Sequence, residues 1–346
     1  MRKGIIFIVL IALLTVPVSA LEITAPLVPE SGRELMPEST DTFGDGLLQI
    51  LQDAVGFFRP DLAEAAKTCV CVICVIMTVS VMQIFSGASK YAANLVGSIA
   101  IAGILLNAAN SLIQLGVQTV GEISEYGKML LPVMTTALAA QGGVTKSAAL
   151  YTGTAVFDTI LSSLVSKLLT PMIYLYLALA VANCATSEAV LMRLRDTIKS
   201  VLTWVLKTLL YIYTGYISIT GVISGTTDAA ALKAAKLTIS GVVPVVGGIL
   251  SDASEAVLVS AGTVKNAAGV YGLLAVLSVW IGPFLQIGAH YLMIKLTAGL
   301  CNVIGEKRMV DLIEVFSSAM GLLLAMTGAV CLMLIISTVC FMKGVG

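Results

Sequence analysis

From Thr68 to Phe85 the chain passes through eighteen residues without one charged side chain. The same pattern returns at Ala92–Val117, Leu168–Cys184 and Ala319–Phe341, and a fifth apolar run, Val201–Ile223, is interrupted only by Lys207. About 20 apolar residues suffice for a helix to cross the hydrocarbon of a bilayer. The composition agrees: charged residues make up 12% of the chain and mean hydropathy is +0.99, whereas soluble domains carry roughly 25% charged residues. Twenty basic residues balance twenty acidic ones, so no basic excess points to nucleic acid. The expectation is an all-α, polytopic integral membrane protein.

Residues 1–20 have the pattern of a secretory signal peptide: Arg2 and Lys3, an apolar stretch from Gly4 to Val16, and the small-residue site Pro17-Val18-Ser19-Ala20. The alternative is a first helix left uncleaved, and both place residue 21 outside the cytoplasm. Residues 21–66 then hold an extracytoplasmic acidic stretch, Leu21–Gly46, which buries too little apolar surface to order itself alone. A short amphipathic helix with Leu47, Leu48, Ile50, Leu51, Ala54, Val55, Phe57 and Phe58 on its apolar face follows. Arg59-Pro60-Asp61 is expected to end it, with Asp61 capping the next helix. Residues 67–117 supply two transmembrane helices.

Beyond them the chain predicts two parallel repeats, residues 118–224 and 225–346. Pro132 and Pro244 stand 112 positions apart, as do Pro171 and Pro283, and Thr214-Gly215 is echoed by Thr327-Gly328 at an offset of 113. Each unit reads as a short Pro/Gly-broken run, a helix, a proline-containing helix, a charged link and a long membrane helix. The short runs are Met129–Ala140, leading from Pro132 to Gly142-Gly143, and Leu237–Leu250, holding Pro244, Gly247 and Gly248. Ala267–Ile304 is too long for one crossing at about 1.5 Å per residue, and Pro283 is expected to divide it. The links carry Arg193, Arg195 and Lys199, then Lys307 and Arg308, so both belong on the cytoplasmic side. Whether Leu237–Leu250 crosses or re-enters stays open.

Catalytic chemistry has little to stand on. There is one histidine, no phosphate-binding glycine loop, no G-x-S-x-G turn and no metal-ligand spacing. No catalytic residue, cofactor or metal is expected. Cys71 and Cys74 match C-x-x-C, but inside an apolar run they read as small apolar residues. The remaining candidates are of two kinds. Asp158, Lys207, His290 and Lys295 are polar groups in apolar surroundings, where a charge costs about 2.5–3.5 kcal/mol or more at mid-bilayer. Lys207 can snorkel to the interface, whereas Asp158 must be paired, line a cavity or lie at an interface. The second kind is the pair of broken segments, Pro132, Gly142 and Gly143 with Pro244, Gly247 and Gly248, followed by Asp252 and Glu255. Such segments expose backbone polar groups that must face protein or water, and they line either a transport path or a packing element.

The run Thr238-Ile239-Ser240-Gly241-Val242-Val243-Pro244-Val245-Val246-Gly247-Gly248 carries a resemblance. It continues through Ser251-Asp252-Ala253-Ser254-Glu255 and Val264-Lys265-Asn266-Ala267-Ala268-Gly269. With Tyr213-Thr214-Gly215-Tyr216 and the signal-like start, it is similar to the stage III sporulation protein AE family of spore-forming Firmicutes. The resemblance implies a subunit, pore or scaffold, of a channel complex in the mother-cell membrane facing the forespore. It implies as partners, besides membrane lipids, other stage III sporulation subunits, including a cytoplasmic ATPase and ring-forming intermembrane proteins; a homo-oligomer is compatible with that role and nucleic acid is not implied. It brings no catalytic residues. The competing class is a stand-alone secondary transporter built on the two repeats.

Overall fold

Each of the five apolar runs lies in helical structure, and the helices extend well past the runs. The computed structural model describes the backbone of residues 26–37, 42–85, 90–186, 188–242 and 247–343, with side chains throughout except at 57, 84, 85, 90, 91, 221–261 and 264. Among the described residues the regular elements are all helical: α1 (Glu30–Arg33), α2 (Phe43–Phe85), α3 (Lys90–Ala140), α4 (Val144–Leu164), α5 (Thr170–Thr186), α6 (Ala189–Val242), α7 (Gly247–Cys301) and α8 (Lys307–Met342). A π-helical turn, Val165–Leu169, joins α4 to α5 without interrupting the rod.

Three of the expected proline breaks do not occur. Pro60 lies inside the 43-residue α2, Pro132 inside the 51-residue α3, and Pro283 inside the 55-residue α7. The amphipathic stretch 47–58 is therefore the first part of α2, and Asp61 caps nothing. Likewise Met129–Ala140 is the end of α3 rather than a separate short helix, and the boundary set after residue 117 falls inside that same helix. Proline removes one backbone hydrogen bond and crowds the preceding turn; the bonds on either side, and packing against neighbours, keep the helix going. Pro171 has a local remedy. In the π turn just before it, the carbonyl of Val165 accepts both the backbone N–H and the hydroxyl of Thr170, which reroutes the ladder next to a residue that cannot donate.

The break that does occur between α3 and α4 is made by glycine. Gly142 has φ 88°, a left-handed conformation that costs a residue without Cβ almost nothing. Gly143 N–H donates to Leu138 O and Gly142 N–H to Ala139 O, closing the end of α3. The corresponding break expected around Pro244 falls on residues 243–246, outside the described residues.

Five helical stretches are long and apolar enough to cross a membrane: Phe58–Gln83, Ala92–Ala140, Val144–Thr186, Lys265–Cys301 and Lys307–Met342. One expectation changes as a result: Ala267–Ile304 contributes one continuous stretch where two were expected. The expected span Val201–Ile223 lies in α6, and its last three side chains fall outside the described residues.

The helices run up and down along one bundle. At one end Cys184 Sγ contacts the Arg308 carbonyl at 3.4 Å, Ser80 Oγ donates to Ile304 O at 3.3 Å, and Lys199 Nζ donates to Ser318 Oγ at 3.0 Å. At the other, Lys146 Nζ donates to Lys343 O at 3.1 Å. Thus α2, α4–α5 and α7 run toward the first end, and α3, α6 and α8 run away from it. We call the first the basic end, since both charged links lie there. α8 occupies the centre, packed by α3, α4, α5, α6 and α7, and its Phe316, Ala319, Met320, Leu323 and Met326 are fully buried.

The segment before α2 is ordered against this bundle. Val28 and Leu35 are buried, and Gly32 sits so close to α7 that an added Cβ would stand 2.7 Å from Ser278 Oγ and 2.8 Å from Val279 Cγ2. Ser31 hydrogen-bonds Glu122 of α3. An acidic stretch unable to order alone thus orders by docking on α7 and α3.

Candidate functional site

At the basic end the two charged links converge. Asn183, Cys184, Arg195, Arg308, Asp311 and Leu312 line one small cavity. Arg195 pairs with its neighbour Asp196 at 2.8 Å, and Arg308 approaches Glu306 at 4.0 Å. That both links would share a side is thus a property of the fold itself, because α5 and α7 each end there and α6 and α8 each begin there.

Just inside the basic end, α6, α7 and α8 leave between them a cleft of about 730 Å³. It brings together two residues singled out in the sequence, Lys207 of α6 and Lys295 of α7, with Lys199 of α6 and Glu314 of α8. Lys295 Nζ donates to Tyr291 Oη at 3.1 Å and lies 5.3 Å from the centre of the same ring, a cation–π placement. Among the described residues no carboxylate comes within ion-pair distance of the three ammonium groups. Leu206, Leu210, Leu322 and Ala325 continue the lining away from the basic end. Lys199 stood out only as a cation of the first link, and Tyr291 and Glu314 not at all. The eight-residue spacing of Lys199 and Lys207 and the four-residue spacing of Tyr291 and Lys295, each repeating a helix face, were the available signal.

Asp158 lies elsewhere. Its Oδ2 accepts a 2.6 Å hydrogen bond from Ser124 Oγ, and the residue is 7% exposed. One turn away, Thr154 and Ser337 share a 2.7 Å hydrogen bond, and Tyr213 donates to Met333 O at 2.9 Å. This polar layer ties α3, α4, α6 and α8 together across an otherwise apolar core. Tyr126 Oη, buried on α3, has no hydrogen-bond partner among the described residues. His290 is buried on α7 with Nδ1 3.0 Å from the Gln286 carbonyl of its own helix. Of the broken-segment residues, Pro132 faces outward from α3, while Gly142 and Gly143 form the α3–α4 turn. Gly247, Gly248, Asp252 and Glu255 belong to the start of α7, with their side chains outside the described residues.

The seven cysteines are free: Cys71 and Cys74 are exposed along α2 and Cys69 is buried. Among the described residues no group of three or more His, Cys, Asp or Glu side chains is arranged to hold a metal ion.

A family model described as stage III sporulation protein AE matches residues 35–344. The chain belongs to that family. Stage III sporulation protein AE of Bacillus subtilis (strain 168) is 23% identical over 270 residues, which cover 78% of this chain and 67% of the relative. No solved structure matches. The match begins at Leu35, within the segment docked on α7, so the family's shared region takes in the whole bundle, its cleft and its polar layer. Membership supports a role in sporulation, and the five long apolar helices make this a membrane protein.

Proposed function

We propose that this chain is a non-enzymatic scaffold subunit of the channel complex between mother cell and forespore, set in the mother-cell membrane. The observation that carries this reading is the division of one bundle into two kinds of surface. Toward the basic end, apart from the links and the lysine cleft, the outward side chains are apolar: Val70, Val81, Val96, Ile99, Leu175, Leu292 and Leu296 are all exposed. Further along, the exposed faces of α2 and α3 carry Asp53, Arg59, Glu64, Glu125 and Lys128.

Length supports the same division. A 51-residue helix is about 77 Å long at 1.5 Å per residue, against about 30 Å of hydrocarbon. The Ser98–Cys184 contact marks the basic end, and the Ser124–Asp158 hydrogen bond lies 26 residues further along both helices, from 98 to 124 and from 184 back to 158. That is about 39 Å, more than the hydrocarbon thickness. In this reading the near half spans the membrane with the basic links in the cytoplasm, and Asp158 lies beyond the hydrocarbon. The far half, with the docked segment 26–37, stands on the extracytoplasmic side as a platform for ring-forming partners, and the cytoplasmic links face the ATPase. The centre of the near half is filled by Ile113, Phe316, Met320 and Leu323, which favours a scaffold over a pore within one chain; a pore would form between copies or with partners. The two hairpins, α4–α5 with α6 and α7 with α8, are in this reading the two parallel repeats, with Pro171 and Pro283 in their first helices.

Cysteine labelling in intact cells, on a background free of native cysteines, tests the placement. An impermeant thiol reagent is expected to label positions 53 and 125 and to spare 193 and 307. Labelling of the links would overturn it. For the role, deletion is expected to arrest sporulation after engulfment while growth stays normal. Charge reversal at Glu125 and Lys128 is expected to reproduce that arrest with insertion intact; normal sporulation in both strains would remove the proposal.

A further inference from the structure

We infer that the cleft between α6, α7 and α8 is a binding site for one anionic phospholipid, its phosphodiester held by Lys199, Lys207 and Lys295. Three ammonium groups and one carboxylate, Glu314, line the cleft. Two positive charges are left over at the level where the chain meets the bilayer. A charge there is costly unless it reaches water or meets a counter-anion, and the described part of the chain supplies no carboxylate, Glu314 included, within ion-pair distance of the three ammonium groups.

The lining is graded as an amphiphile is graded. On α6 the order from the basic end is Lys199, Thr203, Leu206, Lys207, Leu210; on α7 it is Gly299, Ala298, Lys295, Tyr291; on α8 it is Glu314, Ser318, Leu322. Lys199, Glu314 and Ser318 thus stand toward the interfacial side, Lys207 and Lys295 in the middle, and Leu210 and Leu322 deeper. A phosphodiester offers oxygens to lysine ammoniums and to the Ser318 hydroxyl, which already accepts from Lys199 at 3.0 Å, while acyl chains continue along Leu210 and Leu322. Basic pockets between membrane helices on the cytoplasmic side suit anionic headgroups for this reason. A volume of about 730 Å³ lies within the usual range of ligand pockets, roughly 300–1,000 Å³. The surroundings point to lipid rather than protein: Trp204 on α6 is 66% exposed and Leu296 and Leu300 on α7 are 62% and 64% exposed, an interfacial ring beside apolar side chains.

The inference rests on the near half lying in the bilayer, which the labelling experiment tests separately. Its own test uses the purified full chain in detergent, stripped of lipid, with bound lipid counted by native mass spectrometry. Phosphatidylglycerol is expected to bind at one copy per chain, phosphatidylcholine at less than a tenth of that occupancy, and inorganic phosphate not to compete. Each Lys→Gln change in the cleft is expected to weaken phosphatidylglycerol binding roughly fivefold, and K199Q/K207Q/K295Q together by on the order of 100-fold. K67Q, on α2, serves as the charge-matched control and should leave binding unchanged. E314Q is expected to strengthen binding a few-fold, a gain that a misfolded protein would not produce. Equal binding of the two lipids, unchanged binding in the triple variant, or no gain in E314Q would overturn the site. Competition by inorganic phosphate would make it a free-anion site and overturn the assignment to lipid.

Discussion

In the proposed placement the near and far halves of the bundle share the same helices but are held together by different forces. In the far half, Tyr126, Leu130, Met134 and Phe341 are fully buried behind a surface that carries charge, so water drives their burial at roughly 25 cal/mol per Å². In the near half, apart from the links and the lysine cleft, both interior and exterior are apolar. With lipid outside, burial gains little there, and association depends on close packing and hydrogen bonds. Gly97 pressed between Val79 and Met309, and Ser98 bonded to Cys184 at 3.0 Å, are contacts of that second kind. In that placement a single apolar helix serves two solvents, with its outward face changing along its length.

The largest effect is expected where packing is tightest. A side chain at Gly153 of α4 would run into the ring of Tyr216, whose hydroxyl donates to Ala149 O at 2.9 Å. Gly153→Leu should cost on the order of 3 kcal/mol or more and abolish monodisperse protein in size-exclusion chromatography. Gly103→Leu, on an open face of α3 with no neighbour within 4 Å, should behave as wild type.

The halves themselves are separated by an acidic substitution on each. Val96→Asp, at an exposed near-half position, should cost about 2.5–3.5 kcal/mol of insertion free energy, measurable as a loss of the membrane-integrated fraction. Thr136→Asp, exposed on the far half of the same helix, should change stability by about 0.5 kcal/mol or less. Equal penalties at the two positions would break the comparison.

A smaller effect is expected in the polar layer. Ser124→Ala removes the 2.6 Å donor to a buried carboxylate oxygen, which should cost about 1–3 kcal/mol and lower the melting temperature in detergent. Asp158→Asn, which can still accept from Ser124, should cost less. The smallest effect belongs to the docked segment. Gly32→Ala places a methyl against Ser278 and Val279 and should release residues 26–37 to proteolysis at a local cost of about 1 kcal/mol, with the melting temperature unchanged.

Much of this architecture was legible in the residues. Helical class, membrane character and the positions of the apolar runs follow from side-chain transfer energies, which act residue by residue and need no partner. The grouping of Arg193 and Arg195 with Lys307 and Arg308 was legible too, since basic links of membrane proteins tend to share one side. The candidate residues were read less completely. Asp158, Lys207, His290 and Lys295 all stood out as polar groups in apolar runs, yet the sequence did not indicate that Lys207 and Lys295 face one cleft with Lys199 while Asp158 joins Ser124 some 39 Å from the basic end.

Proline shows where local reasoning stops. Read locally, Pro60, Pro132 and Pro283 are helix breakers; in the fold each sits within a helix of 43 to 55 residues. The penalty of a missing N–H is a few kcal/mol at one turn, and packing along the rest of the helix outweighs it. The actual reversal after α3 fell at Gly142, where a left-handed φ is nearly free of cost. Hydrophobicity and charge, being properties of single residues, determined the helices and their environment from the amino-acid order alone. Which helices run through, and which charges meet, depended on contacts between distant segments, and only the packed tertiary structure decided them.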